Sequence, residues 1–200
     1  MTKPHTNLFE LTLSKALLVF LCSIFILHST FAFAEKRMRL HVKGDANGII
    51  EIELNEVDAP IHTQRIKKLA REGAYNGVVF HRVIDGFMAQ TGDVKYGNIA
   101  NFKPEMVGMG GSKYTNLVEE FSSESFSRGT VGMARSRDPN SANSQFFIMF
   151  APAPHLDGKY TVIGRVTKGM DIVMKIKKGN TSQNGAVSSP DYIEMAEIVE

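Results

Sequence analysis

The side chains that could act on a bound molecule fall into two clusters of the sequence. The first sets one arginine, one glutamine and two large apolar side chains at strand-like spacing around Gly86: Arg82, Phe87, Met88 and Gln90. The second adds more apolar surface and another amide: Ala134, Arg135, Gln145 and Phe147. Together they offer a charged hydrogen-bond donor and two amides beside an apolar surface, but no nucleophile.

The chain lacks the residue patterns of the common catalytic centres. It has no H-E-x-x-H, G-x-S-x-G or C-x-x-C sequence, and its single cysteine is Cys22. The run from Gly108 to Lys113 is rich in glycine, but its spacing fits neither common phosphate-binding loop, so we do not expect nucleotide binding. Metal-dependent and nucleophilic chemistry are disfavoured in the same way, and we expect no cofactor.

The two clusters closely resemble those of the cyclophilins, which are peptidyl-prolyl cis-trans isomerases. The resemblance runs from about Met38 to Glu200 and rests on the strings FHR, GFM-x-Q-x-GD and SQFF. Such an enzyme breaks no covalent bond, so it needs no nucleophile or metal. It must lower a rotation barrier of about 18–20 kcal/mol that arises from amide resonance. To reach an ordinary turnover rate, the enzyme must reduce this barrier by roughly 4–7 kcal/mol.

The resemblance implies a role for each residue of the site. Arg82 is expected to donate to the prolyl nitrogen, which accepts better as the peptide bond twists; the alternative is a surface ion pair. Gln90, the second expected catalytic residue, and Gln145 would hydrogen-bond the substrate backbone, and Ala134 and Arg135 would contact the residue before proline. The pocket for the proline ring would be lined by Phe87, Met88, Phe147 and Leu156, which without the resemblance would be interpreted as core.

Three positions depart from the family pattern, and a fourth invites a different chemistry. His155 stands where many relatives carry tryptophan, Tyr160 where many carry histidine, and Arg135 where asparagine is common. In those relatives the tryptophan packs on the pocket rim and donates a hydrogen bond to cyclosporin, so the resemblance implies that a cyclosporin-type ligand binds weakly here while isomerisation is largely retained. His81 could suggest a general base, but no proton transfer is required, so we expect a structural role.

Period-two alternation of apolar residues predicts a mainly β fold. A hairpin is predicted at 38–42 and 50–54, followed by strands at 78–82, 88–92, 130–134, 145–150, 161–166 and 193–199. One helix is predicted from a cap at Asp58 to Gly73, with Lys67 facing solvent, and a second from about Met170 to Lys178, ended by Gly179.

These elements fit a β-sandwich or a β-barrel about equally well. The resemblance favours a closed eight-stranded antiparallel barrel capped by two α-helices. The stretch 94–128 is irregular and is expected to form surface loops that carry binding specificity.

Residues 1–34 are predicted to be a secretory signal peptide, cleaved after Ala34, which leaves a single domain at 35–200. An uncleaved anchor is the alternative, but the apolar run from Ala16 to Leu27 is shorter than a membrane span requires. Without the signal the chain has 23 − 2 = 21 basic and 21 − 1 = 20 acidic residues, which does not favour nucleic acid as a partner. We expect a periplasmic monomer.

The sequence thus predicts a prolyl isomerase that acts on unfolded or flexible proline-containing segments of exported proteins. Two other functions remain open at this point. One is a non-catalytic proline-peptide binding module or holdase chaperone that uses the same groove. The other is an interaction protein that recognises one partner through the loops of 94–128.

Overall fold

The computed structural model describes residues 37–199, and the predicted signal peptide lies outside this range. Nine strands form one antiparallel sheet, with the order β3-β9-β1-β2-β8-β6-β7-β5-β4. The strands are β1 (Arg37–Lys43), β2 (Gly48–Leu54), β3 (Val78–Val79), β4 (Arg82–Ile84), β5 (Met88–Thr91), β6 (Thr130–Met133), β7 (Phe146–Met149), β8 (Val162–Lys168) and β9 (Tyr192–Val199). Two α-helices accompany them, α1 (Pro60–Arg71) and α2 (Met170–Lys175).

The predicted mainly β, antiparallel fold with two helices is confirmed, but the number of strands differs from the eight expected. The segment predicted as one strand at 78–82 forms two, β3 and β4, which are separated by Phe80 and His81. These two strands are the ends of the sheet order. The chain therefore passes from one edge strand of the sheet to the opposite edge strand across only two residues.

The interior of the sheet follows the alternation seen in the sequence. Alternate residues of β1 and β2 point inward and are buried, including Met38, Leu40, Ile50 and Ile52. Pairing of Met38 with Ile52 and of Leu40 with Ile50 sets these side chains opposite one another on one face. This register builds the main core, against which α1 packs through Ile66 and other apolar residues.

Helix α1 corrects two details of the prediction. Its N-cap is Ala59, which has no polar side chain to cap the helix, and the carboxylate of Asp58 accepts a hydrogen bond from the Asn55 side chain at 2.8 Å. Lys67 is buried rather than solvent-facing, since its ammonium group pairs with Glu56 at 2.7 Å at the edge of the helix. Its aliphatic stem can then pack while the charge is neutralised.

Helix α2 is shorter than predicted, because it ends at Lys175 and not at Lys178. Gly179 does not terminate it: a Cβ atom at Gly179 would lie 1.9 Å from the carbonyl oxygen of Gly185, so the glycine permits a close approach of two backbone segments. The stretch 94–128 is irregular as predicted, with one short 3₁₀ turn at Ile99–Asn101. None of the helices within residues 37–199 is long and apolar enough to span a membrane.

Candidate active site

One row of paired residues across four strands places the polar and apolar parts of the site side by side. Arg82 on β4 pairs with Gln90 on β5, and Gln90 pairs with Phe147 on β7. Phe147 in turn pairs with Gly132 on β6. Residues directly opposite each other in antiparallel strands point to the same face. The sheet register alone therefore brings the arginine, the glutamine and the phenylalanine together.

The turn between β4 and β5 explains how two adjacent apolar residues reach the same site. Gly86 has φ of 69°, a left-handed conformation that glycine adopts without steric cost, and it lies in the turn. Phe87 is the last turn residue and Met88 begins β5. The predicted irregular bend at Gly86 is confirmed, and it frees Phe87 from the strict alternation of a strand.

The predicted residues line a cavity of about 340 Å³ on the outer face of the sheet. Ten of the eleven predicted site residues contribute to it: Arg82, Phe87, Met88, Gln90, Ala134, Arg135, Phe147, His155, Leu156 and Tyr160. Gln145 lines an adjacent cavity of about 250 Å³, together with Gln90 and the loop around Met109. The structure thus unites two sequence clusters that are more than 40 residues apart.

The apolar part of the cavity rests on a small cluster that is separate from the main core. Met88, Phe147 and Leu156 belong to this cluster and are buried, and Phe87 packs against it. Phe126, which the sequence analysis did not select, stacks on Phe147 with 5.7 Å between ring centroids. Gly132 provides the space for both rings, because a Cβ atom there would lie within 2.7 Å of each.

Arg82 is fixed along two sides of its guanidinium group. Its Nη1 donates to Oε1 of Gln90 at 3.1 Å. Its Nε donates to the backbone carbonyl oxygen of Asn184 at 3.1 Å, and its Nη2 donates to Oδ1 of the same residue at 2.9 Å. An arginine has five N–H donors, so two remain for a ligand.

Arg82 does not form a surface ion pair within residues 37–199, so the structure does not support that alternative role. Within residues 37–199 its three side-chain partners are neutral oxygens. Partial burial lowers the pKa of Arg82, yet an arginine stays protonated at neutral pH. A cation whose charge no carboxylate neutralises is a strong donor for a group that gains negative charge.

A chain of amides continues from Arg82 into the wall of the groove. Nε2 of Gln90 donates to Oε1 of Gln145 at 3.0 Å. Nε2 of Gln145 donates to the carbonyl oxygens of Gly108 and Gly110 at 2.9 and 2.8 Å. Both N–H groups of Gln145 are therefore used, whereas Gln90 retains one that can reach a ligand.

The glycine-rich loop is organised by a buried carboxylate. Oδ2 of Asp93 accepts hydrogen bonds from the backbone N–H groups of Gly108 and Gly110 at 2.7 and 3.0 Å. Its Oδ1 accepts from the N–H groups of Lys95 and Tyr96. The loop thus directs its N–H groups at a carboxylate of its own chain, which agrees with the expectation that it does not bind nucleotide.

His81 lies beneath this network and is buried. Neither of its ring nitrogens has a hydrogen-bond partner within the described residues. Burial lowers the pKa of His81 to about 4, and the nearby charge of Asp93 only partly offsets it. The imidazole is consequently neutral at ordinary pH, in keeping with a structural role.

The three departures from the family pattern contact other residues of the groove. The guanidinium of Arg135 lies 4.3 Å from the ring centroid of Tyr160, and its Nη2 donates to the carbonyl oxygen of Lys159 at 2.7 Å. The ring of His155 stacks on Phe87, with 5.8 Å between the ring centroids.

Ala134 lines the same groove. Its N–H donates to the carbonyl oxygen of Gln145, which leaves the carbonyl oxygen of Ala134 for a bound peptide.

No group of three or more metal-ligating side chains occurs in the part of the chain that the structure describes.

Three residues that contribute to the site were not predicted from the sequence: Phe126, Asp93 and Asn184. Asn184 is separated from Arg82 by 102 residues, so no local pattern connects them. The Asn184-Gly185 pair is a turn signal only.

Comparison with known proteins agrees with this geometry. The family model for cyclophilin type peptidyl-prolyl cis-trans isomerases matches residues 37–198. A probable peptidyl-prolyl cis-trans isomerase of Brucella suis biovar 1 (strain 1330) is 62% identical over 153 residues, which cover 76% of this chain and 78% of that protein.

Two solved structures share the fold. The cyclophilin AquaCyp293 from Hirschia baltica has a TM-score of 0.66 and 25% identity, with 81% of this chain and 73% of that one covered. A cyclophilin type isomerase of Cryptosporidium parvum, crystallised in the presence of the dipeptide Ala-Pro, has a TM-score of 0.68 and 24% identity, with 82% and 99% covered. This chain belongs to the cyclophilin-type family, and it is a peptidyl-prolyl cis-trans isomerase.

Proposed function

We propose that this isomerase twists an X–Pro bond by donating from Arg82 to the prolyl nitrogen while the apolar cavity fixes the proline ring. The observation that carries this proposal is the position of an unneutralised guanidinium, with two N–H groups to spare, at the edge of that cavity. The nitrogen becomes a good acceptor only when conjugation is lost. The hydrogen bond therefore stabilises the twisted state more than either planar state.

The rest of the groove binds the proline ring and the substrate backbone, so that only one side of the peptide bond is free to rotate. Phe147, Met88 and Leu156 form a packed apolar surface for the proline ring. The spare N–H of Gln90 is available to a substrate carbonyl, and Gln145 keeps the Gln90 side chain in place. One side of the peptide bond is thus held while the other side rotates, with no proton transfer and no covalent intermediate.

The substrates proposed here are accessible X–Pro segments of unfolded or flexible proteins. An open groove that contacts one proline and the adjacent backbone suits such segments, and crystallisation of the Cryptosporidium parvum relative with Ala-Pro supports the class of ligand. Few contacts imply weak binding, which allows rapid release.

We also propose that the protein is exported to the periplasm, is cleaved after Ala34 and assists the folding of other exported proteins as a monomer. The apolar run and the small residues before Glu35 support this destination. For the fold we propose a closed barrel, in which β3 and β4 are two halves of one strand interrupted at Phe80 and His81. Counted in this way, the sheet has the eight strands expected.

A proline-limited refolding assay tests the proposed function. Purified 35–200 is compared with Arg82→Ala and with Arg165→Ala, a control arginine that is exposed on β8 and bonds to Ser127. The parent protein and the control should accelerate the slow phase, whereas Arg82→Ala should lose about 100-fold or more, the usual cost of one electrostatic donor.

The same variants separate the isomerase from a holdase. A holdase that uses this groove would suppress aggregation of the client without accelerating the slow phase, and Arg82→Ala would behave like the parent. Retained acceleration in Arg82→Ala would contradict the role proposed for the arginine.

A further inference from the structure

Asn184 contacts the side of Arg82 that lies away from Gln90. It offers two oxygen atoms to one guanidinium: its carbonyl oxygen accepts from Nε at 3.1 Å and its Oδ1 accepts from Nη2 at 2.9 Å. Gln90 occupies only Nη1. Asn184 therefore provides two of the three contacts that set the orientation of the guanidinium.

The backbone of Asn184 adopts an unusual conformation. With φ of 53° and ψ of 34° it lies in the left-handed region, and among residues 37–199 it is the only residue other than glycine with positive φ. Asparagine tolerates this region better than most residues, but it is uncommon there. Such an outlier beside a functional arginine is a reason to ask what it contributes.

The segment that carries Asn184 is anchored to the strand that carries Arg82. The N–H of Val83 donates to the carbonyl oxygen of Gly185 at 2.8 Å, and the N–H of Gly179 donates to the carbonyl oxygen of Val83 at 2.9 Å. A Cβ atom at Gly185 would lie 2.5 Å from Ile84, so the glycine allows this close approach. Both oxygens of Asn184 are thereby held at fixed distances from β4.

We propose that Asn184 is a positioning residue for the isomerisation, because its two oxygens orient the Arg82 guanidinium so that the free N–H groups face the prolyl nitrogen. The proposal rests on the catalytic role of Arg82 given above. Since Asn184 acts through Arg82 and is exposed, its loss should lower kcat more than it changes KM or stability.

Two substitutions isolate the side-chain oxygen. Asn184→Gly keeps the left-handed backbone and the carbonyl contact but removes Oδ1. It should lower kcat by about 5- to 12-fold, the equivalent of one intramolecular hydrogen bond of about 1–1.5 kcal/mol. Asn184→Asp keeps an acceptor at the same position and tolerates positive φ, but its carboxylate would neutralise the guanidinium, so kcat should fall at least as far as in Asn184→Gly.

A matched control removes a neighbouring side chain that does not contact Arg82. Oδ1 of Asn180 accepts from the backbone N–H of Ser182 at 3.0 Å and so stabilises the same turn. Asn180→Ala should leave kcat and KM near the parent values even if the melting temperature falls. In the Arg82→Ala background, Asn184→Gly should cause no additional loss.

The measurement is kcat and KM for a proline tetrapeptide in a protease-free assay. Full kcat in Asn184→Gly would overturn the proposal, and so would an equal loss in Asn180→Ala or an additional loss in the Arg82→Ala background. If Arg82→Ala itself kept its turnover, the role of Arg82 would fail first, together with this inference. A collapse in Arg82→Ala beside full activity in Asn184→Gly would remove this inference alone.

Discussion

The groove has two halves that are built in different ways. The apolar half, formed by Phe147, Met88 and Leu156, is a packed cluster with its own buried floor at Phe126. The polar half is a chain of hydrogen bonds that begins at Asn184 and passes through Arg82 into the loops of 94–128. Packing fixes the first half and directional bonds fix the second.

This difference suggests a division of work. The apolar half buries surface and contributes to stability as well as to binding. The polar half keeps a cation partly exposed and contributes little net stability, because each of its bonds replaces one to water. Substitutions should therefore separate stability from turnover according to the half in which they fall.

The largest effect on stability is expected for Phe147→Ala in the apolar half. Removing this ring from contact with Phe126 should lower the free energy of unfolding by about 3–5 kcal/mol, and peptide binding should weaken with it. Urea denaturation and peptide titration measure the two quantities. Arg82→Ala, the matched change in the polar half, should lose less than about 1 kcal/mol; equal losses would contradict the proposed division.

The next effect concerns the buried histidine under the polar half. The pKa of His81 is lowered from 6.5 to about 4, so the unfolded chain binds more protons between these values. Stability should therefore decrease as the pH falls from about 6.5 to about 4, by about 3 kcal/mol in total. Burial also lowers the pKa of His62, which adds to the decrease.

Urea denaturation at about pH 7 and about pH 5 checks this dependence. His81→Asn removes the titrating group, and the difference in unfolding free energy between the two pH values should become smaller by about 2 kcal/mol. An unchanged difference would show that His81 is not the group responsible.

The smallest effect is expected at the rim of the apolar half. His155 stacks on Phe87 from an exposed position, where an indole would offer a larger ring and an N–H donor. His155→Trp should tighten the binding of a cyclosporin-type ligand by about 5- to 30-fold, the equivalent of roughly 1–2 kcal/mol, with little change in turnover. Calorimetric titration of both proteins measures it, and unchanged affinity would mean that the rim does not limit binding.

The apolar half could be predicted better than the polar half, and the reason is physical. Period-two alternation and the strings around Gly86 and Ser144 located the strands and the lining residues. Nothing local in the sequence indicated that Asn184 would adopt a left-handed conformation against Arg82, because the contact spans 102 residues. The C-terminal end of α2 and the burial of Lys67 were mispredicted for a similar reason: tertiary contacts, such as that of Lys67 with Glu56, outweigh local preference.

The central claim is that Arg82 acts on the twisted peptide bond and not on binding of the ground state. NMR exchange measurements on a saturating proline peptide give the dissociation constant and the interconversion rate in the same sample. For Arg82→Ala we predict a dissociation constant within about threefold of the parent and an interconversion rate lower by about 100-fold or more. A variant that loses affinity to the same extent as rate, or that keeps its rate, would contradict the account.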